Sequence, residues 1–575
     1  MPAAGGKIHA LDEDCLSPLS PFQLAISLHE SKSSYFEYPL YNVCFAFIVD
    51  QELDNSEIGD AFFAAIEASP SLRTKLEFDS AEFSSMKHIC KLDDFERQKI
   101  FSIQTVSSLD LVAAIESESS KKFDLTSSIG SRLSVFEIGT SAKIIVFSFH
   151  HLFLDGMSAQ YFFETMSNFF AHRDDICDSN MSTFLHESMS MQLSPIQTPI
   201  APLETSLKFW NDLLRPVIEG NSANLNFGAN PVKHISGRAT STRLEFRGET
   251  FTENMFKFLH DSGCTIYQTT VAAVALLSTY LSQTGSVCIG SVHANRTREN
   301  ATDVGCFVNG FAFGIPVDPR ETFMALARFV KDQATQIAQH WQVPWLQVLA
   351  ELEVKKSPFQ IMVNGSPTDF ERDPISFGTY KLQEVTNSYI PAIYDVTIQV
   401  AGISKRGLVL KIECSDALDP TITAHFISRF KMLFKNLFEN NQWKLPMAHL
   451  DMTLAHERKA VNILNSGYSH STASQTIQFD TCTISPGTPL PLAFDQIMEL
   501  QGHNIAISVQ GREISYSELL SDARNIAANL EKLSIGSDDV VALCMEQDEH
   551  WVACIMGTNT KITRHLVKNS KIFCV

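Results

Sequence analysis

The run Ile144-Ile145-Val146-Phe147-Ser148-Phe149-His150-His151 constrains this chain more than any other stretch, together with the Leu152-Phe153-Leu154-Asp155-Gly156 that follows. From Ile144 to Phe149 nearly every residue is β-branched or aromatic, which suits a strand, and Asp155-Gly156 breaks the pattern. Beyond the break Ala159, Phe162, Met166 and Phe170 recur at helical spacing, so a helix with an apolar face is expected to pack under the strand. Two histidines then sit on a short loop between two anchored elements. Successive strand residues point to opposite faces, which prevents His150 and His151 from sharing one metal ion. Gly156-Met157-Ser158-Ala159-Gln160 lacks the last glycine of a nucleophile elbow, which argues against a serine nucleophile. What remains is one histidine facing solvent or a channel. As neutral imidazole it could take a proton from an amine or hydroxyl, while Asp155 orients the loop or pairs with a cation. The plainer alternative is a pair of hydrogen-bonded structural histidines.

His150, His151, Asp155 and Gly156 match the HHxxxDG signature of the condensation domains of nonribosomal peptide synthetases, and further stretches resemble that family in order. Leu16-Ser17-Pro18-Leu19-Ser20-Pro21-Phe22-Gln23 resembles its opening motif. Ser71-Leu72-Arg73-Thr74-Lys75-Leu76 resembles the second, with Ser69, Pro70 and Ser71 replacing the usual Arg-His pair. Phe123-Asp124-Leu125 with Arg132-Leu133 resembles the segment before the active-site strand. Ser286 to Arg296 resembles the strand-Gly-loop-Arg motif, Val304 to Gly310 the Gly-x-Phe-Val-Asn segment, and Tyr394 to Ile398 the late Tyr-Asp-Leu-Thr-Leu motif. Further strands are expected at 41–49, 242–246, 359–363 and 407–413, with Gln360 on the third. Helices are expected at 58–66, 269–281, 323–337 and 422–438, with a short one bearing Phe209-Trp210.

The resemblance implies an α/β fold of two chloramphenicol-acetyltransferase-like lobes in a V-shaped pseudo-dimer, with the site in a tunnel between them. His151 would lie at the reaction centre as base, positioner or charge stabiliser. His150 would support the loop, and Gly156 would serve the backbone turn. Arg296 would pair with Asp155 and hold the loop against the second lobe, and Asn309 would line the floor nearby. The implied activity is acyltransfer: an amide bond formed between a carrier-bound acyl or peptidyl thioester and a carrier-bound aminoacyl acceptor. No cofactor would be bound tightly, since the substrates ride on phosphopantetheine arms of carrier proteins or other synthetase modules acting in trans.

Composition bounds the partners. The 575 residues are 44% hydrophobic and 19% charged, enough for several domains or lobes. A net charge of −20 without basic stripes argues against nucleic acid. Twelve cysteines without a C-x-x-C pair, and no signal-peptide pattern, point to reduced thiols in the cytoplasm. The most apolar helical run, Val271 to Leu281, is shorter than the roughly 20 residues that cross a bilayer, so no membrane is expected.

The expected organisation is a flexible tail at 1–15, a condensation-domain N-lobe at 16–175, a crossover segment at 176–235 and a C-lobe at 236–451. A polar linker at 452–488 follows, then 489–557, which resembles the start of an adenylation domain, and an atypical basic tail at 558–575. That last resemblance stops before the phosphate loop, so amino-acid activation is not expected, and a truncated gene or a gene-model error is. Three other readings stay open. One is a stand-alone acyltransferase on a small amine or alcohol, another an epimerisation domain, and the third a catalytically inactive docking module left by truncation.

Overall fold

The computed structural model describes residues 16–32, 36–50, 52–79, 84–139, 142–171, 201–220, 225, 227, 236–297, 300–354, 357–365, 375–377, 380–385, 389–459, 477–479, 482–484, 502–509, 512–533 and 549–562. The tail at 1–15 and most of the expected crossover and atypical tail lie outside these. The chain divides into two compact units, Met1–Met452 and Thr453–Val575.

The first unit opens with β1 (Leu16–Pro18), α1 (Pro21–Lys32), β2 (Asn42–Asp50) and α2 (Asn55–Glu67). After a 3-10 turn come β3 (Thr74–Asp79), β4 (Ser84–Ile89), α3 (Asp94–Ile100), β5 (Phe101–Thr105) and α4 (Leu111–Ser119). Then follow β6 (Ser131–Ile138), β7 (Ala142–His150) and α5 (Gly156–Ala171). β7 lies in the middle of a five-stranded sheet, between β2 and β6 and antiparallel to both. Being central, it is buried on both faces, which is why its sequence is a nearly unbroken apolar run. On one face Phe147 stands opposite Phe45 and packs edge-on against Phe163 of α5, the ring centres 5.2 Å apart. On the other, Ile144 and Val146 pack with Ile115 of α4. The helical stripe expected after Gly156 is the buried face of α5.

The second half begins with α6 (Leu203–Glu219), whose 17 residues are more than the short helix expected around Phe209-Trp210; Trp210 and Leu214 anchor it in the core. β8 (Ala239–Phe246), α7 (Glu249–Ser262), α8 (Ile266–Ser282), β9 (Ser286–His293) and β10 (Asn309–Pro316) follow. Next come α9 (Phe323–Ile337), α10 (Trp345–Glu351), β11 (Ile361–Gly365), the short β12 (Ser376–Phe377), β13 (Tyr380–Lys381) and β14 (Gln383–Val385), then β15 (Val396–Ser404), β16 (Gly407–Ser415) and α11 (Pro420–Phe438). A six-stranded sheet runs β10-β9-β11-β15-β16-β8. Gln360 lies just ahead of β11 instead of on it, because its amide is engaged by the backbone of Leu225 and by Asp395. Gly290 is required by packing: a Cβ there would come within 2.2 Å of the Phe359 ring.

Each sheet has its own large core, and the two halves interlock. β14 pairs with β2, adding a late segment to the first sheet. Cys306, Phe377 and Leu382 are buried in the core built around β7 and α5. No single helix among the described residues is long and apolar enough to cross a membrane.

In the second unit the expected linker contains two short strands, β17 (Ile477–Phe479) and β18 (Cys482–Ile484), paired antiparallel. β19 (Ile505–Val509) and β20 (Arg512–Ser515) pair and lead into α12 (Tyr516–Lys532), which Ser515 and Glu518 start with a capping box. α13 (Glu549–Ile562) runs past 557, so part of the expected tail is helical.

Candidate active site

Alternation along β7 carries through to its last residue and separates the two histidines. His150, 2% exposed, has every polar atom engaged. Its N–H donates to Gly130 O (2.8 Å) and its O accepts from Phe153 N (3.0 Å). Nδ1 accepts from Leu152 N at 3.1 Å, which puts the ring proton on Nε2, facing the Glu30 carboxylate at 3.1 Å. Tyr41, Phe123 and Phe153 surround the ring.

His151 lies one residue past the strand. Its N–H donates to Tyr41 O at 2.8 Å, extending the β2–β7 ladder into the loop. Part of its surface stays open although the ring is closely surrounded, and Nδ1 stands 4.0 Å from Cys306 Sγ. Burial lowers the imidazole pKa below its usual 6.5, and His150 adds to this; backbone groups of His151 and Leu154 and the charge of Asp155 pull the other way. The ring is therefore neutral at pH 7, with a lone pair available. Burial, and then the Asp155 charge, raise the Cys306 thiol well above its usual 9, so it is protonated and a poor nucleophile.

Asp155 fixes the far end of the loop. It is 1% exposed and caps α5 by accepting Ser158 N on Oδ1 at 2.8 Å. The same oxygen accepts from Arg296 Nη2 (3.0 Å), Oδ2 accepts from Phe307 N (3.0 Å), and the Asp155 N–H donates to Gly305 O (3.0 Å). The second terminal nitrogen of Arg296, Nη1, donates to the carbonyls of Asn300, Ala301 and Asp303, and the guanidinium lies over the Phe307 ring. Arg296 reaches this position after a tight turn in which Asn295 adopts the left-handed conformation (φ 52°).

Ser158, which the sequence reading treated only as a failed nucleophile, is fully buried here. Its Oγ donates to Gly305 O (2.6 Å) and accepts from Gly305 N (2.9 Å) and Arg296 Nη2 (2.7 Å). Its place three residues after a capping Asp was the only local signal. Glu30, 120 residues before His150, carried none. Two early motifs brace the loop as well: Gln23 Nε2 donates to Leu152 O at 2.8 Å and Ser71 Oγ to Phe153 O at 3.0 Å. Arg73 instead donates to Cys90 O.

Two assignments change. Gly156 opens α5 outside the left-handed region, and a Cβ on it would meet nothing within 4 Å, so the turn does not need glycine. Asn309 is an internal staple: Nδ2 donates to the carbonyls of Trp341 (2.7 Å) and Val343 (2.8 Å), and Oδ1 accepts Trp345 N. Its buried amide is spent on holding β10 to the 341–345 segment, which leaves little of it to line a floor. Among the described residues no group of three or more His, Cys, Asp or Glu could hold a metal ion.

The condensation-domain family model matches residues 16–461, which contain the whole of this arrangement. The chain belongs to the condensation-domain family. Members of this family are the acyl- and peptidyl-transfer domains of nonribosomal peptide synthetases. Among its relatives, gramicidin S synthase 2 of Aneurinibacillus migulanus is 21% identical over 540 residues, covering 90% of this chain and 11% of the relative. The hybrid PKS-NRPS synthetase opdA of Penicillium oxalicum is 21% identical over 85% of this chain and 12% of its own length. The chain thus spans about an eighth of these relatives. In fold it is similar to holo-AB3403, a four-domain nonribosomal peptide synthetase (TM-score 0.64, 18% identity, 94% of this chain and 41% of that one). It is also similar to the first condensation domain of the calcium-dependent antibiotic synthetase (TM-score 0.60, 16% identity, 76% of this chain and 99% of that one).

Proposed function

We propose that this condensation domain joins a carrier-bound acyl or peptidyl thioester to a carrier-bound aminoacyl group, making an amide bond in nonribosomal peptide biosynthesis. The observation that carries the reading is a neutral His151 on a loop held by Tyr41 on one side and by the Asp155–Arg296 pair on the other. The acceptor amine attacks the thioester carbonyl carbon, a C–N bond forms, and the carbonyl electron pair moves onto oxygen. Collapse of that intermediate breaks the C–S bond, and the phosphopantetheine thiol leaves with a proton. A free α-amine has a pKa of about 7.7–8.0, so a good fraction of it is already unprotonated near neutral pH; after attack its nitrogen is far more acidic, and the neutral imidazole can take the proton that it sheds. His150, tied to Glu30, holds the loop in place; Arg296 and Ser158 hold Asp155.

In this reading the two halves form lobes in a V around a tunnel, and carriers supplied in trans by cytoplasmic synthetase modules approach from opposite sides. Residues 489–557 are the opening of an adenylation domain. The teicoplanin X-domain, similar in fold (TM-score 0.61, 16% identity), is known in complex with OxyB, so a docking role on the same fold is the competing reading. Intact-protein mass spectrometry of donor-loaded and acceptor-loaded carriers separates the two. Transfer by the wild type, reduced about 10²–10⁴-fold by His151→Ala, is expected. No transfer by the folded wild type across several donor–acceptor pairs would leave the docking reading.

A further inference from the structure

Three glycines lie on the paired strands β9 and β10, and packing explains two of them. A Cβ on Gly290 would meet the Phe359 ring at 2.2 Å, and one on Gly314 would come within 2.8 Å of the Leu213 carbonyl oxygen. Gly310 is different. A Cβ there would touch only Trp345, at 3.6 Å, which is ordinary contact. Its φ lies outside the left-handed region, and the β9–β10 register runs from Asn309 to Pro316 without a bulge. Glycine inside a strand weakens it, and where neither a bulge nor packing requires one, close approach of a ligand is the remaining reason.

Gly310 continues the side of the chain that faces His151. Along this stretch Phe307 lies under Arg296 and Asn309 holds the 341–345 segment, whereas Cys306 and Val308 pack into the core around β7. There Cys306 Sγ stands 4.0 Å from His151 Nδ1. Gly310 is the next residue of that row, about 7 Å past Val308. Aromatic side chains wall the space in front of it. Trp345, its N–H held by Asn309 Oδ1, flanks Gly310. Phe359 is on the same face, since Gly290 beneath it stands opposite Ala312, two residues along from Gly310. Its ring centre is 6.1 Å from that of Trp345 and 5.6 Å from that of Tyr394. Ile393, beside Tyr394, packs back into the core that holds Tyr41 and Cys306, so the row closes on the two residues that touch His151. Gly310, Trp345 and Tyr394 each keep part of their surface open. A bare backbone floor between aromatic walls suits a flat ring. We propose that Gly310 is the floor of a slot for an aromatic ring carried by the acyl or aminoacyl group joined at His151. The proposal rests on the condensation reading only for the thioester through which that group is held.

Stable amide analogues, with aminopantetheine in place of the thiol, test this by calorimetric titration of the full chain. One arm uses N-acetylated groups (donor type) and the other free amines (acceptor type). Each compares phenylalanyl with cyclohexylalanyl, which has the same carbon skeleton but a puckered ring. In one arm the phenylalanyl analogue is expected to bind about tenfold tighter. Gly310→Val, which puts a side chain on the floor, should bring that ratio to about one. Gly310→Ala should lower the ratio less and melt no lower than the wild type, since a Cβ at this position meets no clash. A wild-type ratio near one in both arms, a ratio that survives Gly310→Val, no binding by any analogue, or a drop of several degrees in Tm for Gly310→Ala would overturn the proposal. A ratio near one in a protein that does transfer acyl groups between carriers would leave the condensation reading standing without the slot. A ring preference that follows Gly310 in a protein that transfers nothing would do the reverse.

Discussion

His151 is neutral because burial opposes its charged form, and this has a measurable consequence. A base with a lowered pKa stays unprotonated to lower pH, so beside the limb that the acceptor amine contributes at about 7.7–8.0, the enzyme's own acid limb in transfer is expected below 6.5. A second limb at or above 6.5 that disappears in His151→Ala would contradict that assignment. Gly156 makes the opposite kind of case. Its place at the first position of α5, with open space where a Cβ would go, means that Gly156→Ala should leave the melting temperature unchanged or slightly raised. If transfer nevertheless falls, the space in front of Gly156 belongs to the substrate. A drop of several degrees in Tm would restore a structural need for glycine. At this scale the sequence was legible where the chemistry is local: His150, His151 and Asp155 stand at one strand end, as their order implied. Ser158, Glu30 and Cys306 were not, because what gives each its role is a partner 120 to 155 positions away.

Between elements, the Asp155–Arg296 pair ties the start of α5 to the loop after β9. Both side chains are nearly dry, so removing one leaves a buried charge without its counter-ion. Arg296→Ala is expected to cost about 3–5 kcal/mol in denaturant unfolding. The double variant Asp155→Ala/Arg296→Ala should cost clearly less than the sum of the two single changes. Additive losses would mean that the pair does not act as a unit. The second tie is apolar. Phe377, fully buried, stacks on Phe170 of α5 at 5.0 Å between ring centres. Phe377→Ala should destabilise by about 3–5 kcal/mol, read by the same unfolding measurement, and should act on the core around β7 despite lying in the later half.

At the scale of the whole molecule, both large cores and every group around His151 fall within Met1–Met452. A chain ending at Met452 is expected to melt cooperatively and to keep the transfer activity of the full chain; scanning calorimetry and the carrier assay check this. What the sequence determined by itself were features with a short physical range. A nearly unbroken apolar run specifies a central strand, a 3.6-residue stripe specifies a helix, and the residues of one motif reach one loop because they are neighbours in the chain. Tertiary structure decided the rest. β14 completes a sheet begun more than 300 residues earlier, and the segment around Cys306 enters the first core. Those outcomes depend on which distant surfaces bury one another, and burial there sets the protonation of His151.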